Sequence, residues 1–131
     1  MHVFPLWSRI LFAVALLPGC ATIDSPQPGA GGSTFEVRGK TYDEVWRAAN
    51  LAASRSLTIV ESSKATGTVR AEKGVGLTTW GEVVGIFIRP ATSGAPVYNV
   101  EVQSLKRSRL QITGQDWTLT VISSMKAELG Q

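Results

Sequence analysis

Hydrophobic residues recur with two different periods along this chain, and these periods predict where its helices and strands lie. Between positions 42 and 57, apolar residues recur every three or four positions, which is the spacing of one face of a helix. Thr41 and Glu44 open that stripe with the spacing of a capping box, in which each side chain pairs with a backbone N–H at the helix start. We therefore predict the first helix here.

Alternating apolar and polar residues, together with β-branched runs, predict five strands, at positions 35–38, 57–61, 67–72, 80–89 and 98–103. The second and third strands should form a hairpin in which Thr68, Arg70 and Glu72 face water. The fourth strand is apolar on both faces, as expected of a central strand that is covered on both sides.

The fifth strand has the strictest alternation in the chain. Its apolar residues, including Val100, are expected to point into the core, and its polar residues, including Glu101, are expected to face water. We therefore expect Val100→Asp to cost several kcal/mol, because it buries an unpaired charge. Glu101→Lys should change the free energy of unfolding by less than about 0.5 kcal/mol.

The C-terminal segment supports two interpretations. Thr113 and Asp116 have the spacing of a helix start, the apolar residues that follow fall on one arc, and Gly130 is a stop signal. Positions 117–121 also alternate as a strand would. We favour the helix because positions 123–129 have no strand character, and the strand alternative stays open for 117–121.

The order strand, helix, four strands and helix indicates an α+β fold. It predicts an antiparallel sheet of about five strands with two helices packed mainly on one face. The single cysteine excludes an intramolecular disulfide, so the hydrophobic core alone must stabilise the domain.

The N-terminus has the pattern of a signal peptide. Its apolar run at positions 10–17 has the length of a signal-peptide core and is too short to span a bilayer as a helix. Leu17, Gly19 and Cys20 resemble the lipobox of bacterial lipoproteins, in which the chain is cut before a cysteine that carries lipid. The resemblance implies that residues 1–19 are removed and that Cys20 is acylated. An ordinary secretory signal, cut nearby and leaving a free cysteine, is the alternative.

The same resemblance predicts where the protein resides. In enterobacterial-type sorting, an Asp after the cysteine retains a lipoprotein in the inner membrane, so Ala21 implies the periplasmic side of the outer membrane. Positions 20–33 are rich in Pro, Gly and Ser, which predicts a flexible linker. It would hold the domain, residues 34–131, about 20 Å from its lipid anchor.

The residue inventory argues against most catalytic chemistry. The only histidine, His2, lies in the predicted signal peptide, so the mature chain lacks the usual Ser-His-Asp and Cys-His sets. Zinc sites nearly always need Cys or His ligands, and the acidic residues are scattered. We therefore expect no enzyme activity, no metal and no cofactor. Without Arg9, twelve basic side chains stand against ten acidic ones, and this mild, dispersed excess gives no case for nucleic acid.

Two surfaces are candidates for binding. Lys106, Arg107 and Arg109 form a dense basic cluster that would suit acidic lipid head groups or peptidoglycan carboxylates, or that is merely a solvated strand end. Trp80 and Trp117 would suit an aromatic platform, although large aromatic side chains in a small domain more often belong to the core.

The order of elements after the lipobox is similar to that of small uncharacterised lipoprotein domains, and loosely to the helix-grip modules of the lipoprotein C subunit of the outer-membrane barrel-assembly machine. The resemblance implies a membrane-tethered, non-catalytic interaction or envelope-accessory module, with the bilayer and an envelope protein as partners. The alternative is a binder of a small ligand or an envelope polymer, such as peptidoglycan or a lipid head group, in the groove between helices and sheet.

Overall fold

Five strands and two helices follow one another in the predicted order. The computed structural model describes residues 20–76, 79–91 and 96–131. Its elements are β1 (Ser33–Arg38), α1 (Tyr42–Ser54), β2 (Thr58–Ser63), β3 (Thr68–Lys73), β4 (Glu82–Pro90), β5 (Val97–Lys106) and α2 (Thr118–Leu129). The predicted α+β fold is confirmed. The predicted signal peptide, residues 1–19, lies outside the described residues.

The strands form one antiparallel sheet in the order β1-β5-β4-β3-β2. The first strand therefore pairs with the last, and α1 carries the chain across the sheet to the opposite edge. The central strand β4 and its neighbour β5 share the longest ladder, which runs from Glu82 opposite Lys106 to Pro90 opposite Tyr98. As predicted, β4 is buried on both faces.

Both helices pack on one face of the sheet, and the hydrophobic core lies between. The capping box of Thr41 and Glu44 is present at the start of α1. Four buried alanines let this helix approach the sheet closely: Ala48, Ala49, Ala52 and Ala53. They meet the inward residues of the strands, among them Val84, Val100 and Val102. Neither helix of the described residues is long and apolar enough to cross a membrane.

The C-terminal segment is helical, but the helix begins later than its first start signal. The α2 helix starts at Thr118, whose backbone N–H donates to Asp116 Oδ1 at 2.9 Å, and Thr113 lies before it in a loop. The strand alternative for positions 117–121 is wrong, because Val121 and Met125 are buried at helical spacing. Gly130 ends the helix with a left-handed backbone (φ 72°), as its sequence position predicted.

The face of the sheet opposite the helices is not open to water. Thr68 and Glu101, both expected to face solvent, are buried, and the Arg70 side chain is nearly so. Their alternation was read correctly, because they do point away from the helices. Their exposure was predicted wrongly. Over Arg70 and Glu101 the reason is another part of the chain that covers this second face.

Candidate functional site

Residues 20–32, called the N-terminal strap below, run across the second face of the sheet. Pro26 lies over Gly85 of β4, and Phe87 lies beside them. A Cβ atom added at Gly85 would be 2.7 Å from both Pro26 Cβ and Phe87 Cζ, closer than such atoms approach in proteins. The missing side chain of Gly85 is therefore what admits the strap to the surface of the central strand.

Polar side chains of β5 fix the strap by binding its backbone amides. Gln103 Oε1 accepts a hydrogen bond from the backbone N–H of Gln27 at 3.0 Å. The two carboxylate oxygens of Glu101 accept from the backbone N–H groups of Gly29 (2.8 Å) and Gly32 (3.2 Å). These bonds give partners to amides that the sheet ladder does not use. The sequence-based interpretation as a flexible linker did not anticipate them.

Gly85→Ala is expected to loosen the strap. Glycine to alanine in a strand is usually neutral or stabilising, but here overpacking should cost about 1–3 kcal/mol. Hydrogen exchange of the Gln27 and Gly29 amides should be slow in the unchanged protein and fast in the variant. Gly74→Ala is the matched control, because a Cβ at Gly74 meets nothing within 4 Å. Fast exchange of these amides in the unchanged protein would instead support a free linker.

Cys20 lies at the beginning of the strap, beside the last residues of β5. Its side chain is exposed. The backbone N–H of the next residue, Ala21, donates to the backbone carbonyl of Arg107 at 2.9 Å. The thiol is therefore exposed at one end of the sheet, the end at which β4 begins and β5 ends.

The structure divides the predicted basic cluster into two parts. Lys106 and Arg109 line a depression of about 380 Å³ together with Cys20. Arg107 points elsewhere and forms an ion pair with Glu72 on the second face of the sheet. Within the described residues, neither Lys106 nor Arg109 has an ion-pair partner. Of the three basic residues in the predicted cluster, only Lys106 and Arg109 therefore carry a charge that no ion pair in the described residues neutralises.

The two candidate tryptophans do not form one platform. Trp117 is 8% exposed and belongs to the hydrophobic core, whereas Trp80 is 65% exposed. The Trp80 backbone N–H donates to Gln111 Oε1 at 3.2 Å, which ties the loop before β4 to the loop after β5. Of these two candidate tryptophans, only Trp80 is largely exposed.

A buried carboxylate that the sequence analysis did not single out holds these two loops together. Glu82 is almost fully buried, and its Oε1 accepts hydrogen bonds from Thr79 Oγ1 (3.0 Å), Gln111 Nε2 (3.1 Å) and the Gln115 backbone (3.2 Å). Such donors stabilise an isolated buried carboxylate. No group of three or more His, Cys, Asp or Glu residues in the described part of the chain could hold a metal ion.

A second depression, of about 540 Å³, lies on the second face toward the other end of the sheet, beyond the strap. It is lined by residues of β1, β4 and β5, including Glu36, Arg89, Asn99 and Glu101. Arg89 Nη2 is 3.5 Å from Glu101 Oε2, so the buried carboxylate that holds the strap also borders this depression. Its residues belong to strands that are far apart in sequence, and no local motif indicated it.

No protein-family model matches the chain, and no curated protein matches it. The solved structures that resemble it distantly include the following two. The adenylate sensor of AMP-activated protein kinase, crystallised with the ribonucleotide ZMP, aligns at 12% identity with a TM-score of 0.46, covering 74% of this chain and 94% of that chain. Ara h 8.0201 aligns at 15% identity with a TM-score of 0.38, covering 76% of this chain and 97% of that chain.

Proposed function

We propose that this chain is a periplasmic lipoprotein, anchored through acylated Cys20, whose folded domain is a non-catalytic interaction module. The observation that carries the proposal is the place of Cys20, which ends a lipobox-like sequence and whose side chain is exposed. The exposed thiol is accessible for acylation. The proposed location is the periplasmic side of the outer membrane, because the residue after the cysteine is Ala21 and not the Asp that retains a lipoprotein in the inner membrane.

The depression on the second face is the proposed site of interaction. The space between helices and sheet, where the sequence analysis put a ligand groove, is filled by the hydrophobic core. The second-face depression instead offers a carboxylate, a guanidinium and an amide, from Glu36, Arg89 and Asn99. This mixture suits a protein segment with side chains of both charges, and it also favours the second candidate function, binding of a peptidoglycan peptide.

A photo-crosslinking amino acid at Asn99, used in native membranes, tests these functions. Asn99 is exposed and borders the depression. A single covalent protein adduct is expected from an interaction module, whereas a muropeptide adduct alone would favour the polymer-binding alternative. The control places the same amino acid at Ser123, which is exposed on α2. The same adducts from both positions, or none from Asn99, would contradict the choice of this depression.

A further inference from the structure

Exposed apolar side chains gather at the end of the sheet where Cys20 lies. That end is defined by register, because Lys73 pairs with Glu82 and Glu82 pairs with Lys106. Five large exposed hydrophobic residues lie in the loops at this end and in the first turn of α2: Val75, Trp80, Leu110, Ile112 and Leu119. Leu110 and Ile112 are 92% and 95% exposed, so they contribute nothing to the core.

The first turn of α2 belongs to the same end of the molecule. The backbone N–H of Trp117 donates to Ser104 Oγ near the end of β5. Lys73 Nζ lies 5.7 Å from the centre of the Trp117 ring. These contacts hold the start of α2 beside the ends of β3 and β5, so Leu119 shares this end with Leu110 and Ile112.

Charge is added to this apolar end by Lys106 and Arg109, which border the depression beside Cys20. Both side chains are exposed. Apolar side chains ringed by basic ones are the combination that favours the surface of an anionic bilayer, where apolar groups enter the boundary of the acyl chains and cations meet the phosphates. An exposed tryptophan such as Trp80 is also typical of the membrane interface.

Because the strap is bound to the sheet, it does not act as a spacer between the domain and the bilayer, as a flexible linker would. Because the Ala21 backbone is hydrogen-bonded to Arg107, the thiol belongs to the residue directly next to one that is fixed to the folded surface. One residue spans at most about 3.6 Å. A lipid on Cys20 would therefore extend from the domain directly beside its exposed apolar and basic side chains.

We infer that this end of the domain is a docking surface for an anionic phospholipid bilayer, formed by Trp80, Leu110, Ile112, Lys106 and Arg109. The inference rests on the proposed lipoprotein anchor, and the bilayer is favoured as the occupant by charge complementarity and by continuity with that anchor. Docking would direct the depression that contains Asn99 away from the membrane, toward a partner in the periplasm.

The test attaches the mature chain, residues 20–131, to vesicles through Cys20, its only cysteine, by reaction with a maleimide lipid. This chain contains every element of the described fold, and the attachment does not depend on natural acylation. The vesicles contain phosphatidylethanolamine and phosphatidylglycerol with brominated acyl chains, which quench tryptophan at the interface. We expect strong quenching that is lost in Trp80→Phe, and weaker quenching in Lys106→Gln/Arg109→Gln and in Leu110→Ser/Ile112→Ser.

Matched controls separate the docking surface from general charge and hydrophobicity. Arg38→Gln/Arg47→Gln removes the same charge from exposed positions elsewhere, and Leu51→Ser/Val60→Ser removes exposed apolar groups elsewhere. Neither should change the quenching. Equal quenching of the unchanged protein and Trp80→Phe would overturn docking, as would dimers on the vesicles that bury this end against a second copy. Mass spectrometry of the protein from its native membranes tests acylation separately, so failure of the anchor and failure of docking give different results.

Discussion

Val100→Asp and Glu101→Lys are both expected to destabilise the domain strongly, although these neighbours point to opposite faces of β5. Val100 is fully buried under the helices, so an aspartate there would be an unpaired buried charge, costing several kcal/mol. Glu101 is 8% exposed beneath the strap. A lysine there would lose both amide hydrogen bonds and place a cation beside Arg89, which should cost about 2–4 kcal/mol. This value replaces the small effect predicted from the alternation of β5, which assumed that Glu101 faces water.

Asn99→Lys is the control for this prediction. Asn99 lies on the same face of the same strand as Glu101, but beyond the strap, where it is exposed. Its replacement should change the free energy of unfolding by less than about 0.5 kcal/mol. Urea denaturation of the three variants measures the difference. A cost for Glu101→Lys as small as that of Asn99→Lys would show that the strap does not cover the sheet in solution.

The sequence predicted the elements of this fold because their signals are local. The capping box of Thr41 and Glu44, and the strict alternation around Val100, each depend on residues a few positions apart. At the start of α2 the combined signal of Thr113 and Asp116 was correct only in part. The Asp116 side chain accepts from the Thr118 backbone at the first turn, whereas Thr113 lies in the loop before the helix.

The segment that covers each face of the sheet could not be predicted from local sequence patterns. Val83 and Phe87 made the second face of β4 apolar, and the sequence analysis inferred that both faces were covered without assigning a cover to this one. The cover is the strap, which has no apolar periodicity and binds through its backbone amides. Gly85, in the middle of that apolar strand, was the available signal, since glycine there marks a close approach of another segment.

The depression beside Cys20 likewise depends on the long-range contact between the strap and the sheet. Lys106 and Arg109 were identified from their spacing, but nothing in that spacing related them to Cys20, more than eighty positions away. The hydrogen bond from Ala21 to Arg107 brings them together. Arg107 shares the basic run and yet faces Glu72, because successive side chains near a strand end point in different directions.

Cys20→Ser is expected to abolish fatty-acid labelling and attachment to the membrane through lipid, and to leave the melting temperature of the domain unchanged. The side chain is exposed, so its replacement removes no packing. Each buried CH₂ contributes about 0.8 kcal/mol to membrane binding, so one acyl chain holds the protein only marginally, whereas two or more anchor it stably. The variant should either remain unprocessed, held by its uncut signal, or be released as a folded domain.

Metabolic labelling with a radioactive fatty acid, followed by membrane fractionation, measures both consequences. Ala21→Ser is the matched control, because it keeps the cysteine and the backbone N–H that binds Arg107, and it should be labelled as the unchanged protein is. Label on Cys20→Ser, or no label on the unchanged protein, would contradict the lipid anchor. The chain would then be a secreted domain whose exposed Trp80, Leu110 and Ile112 need another partner.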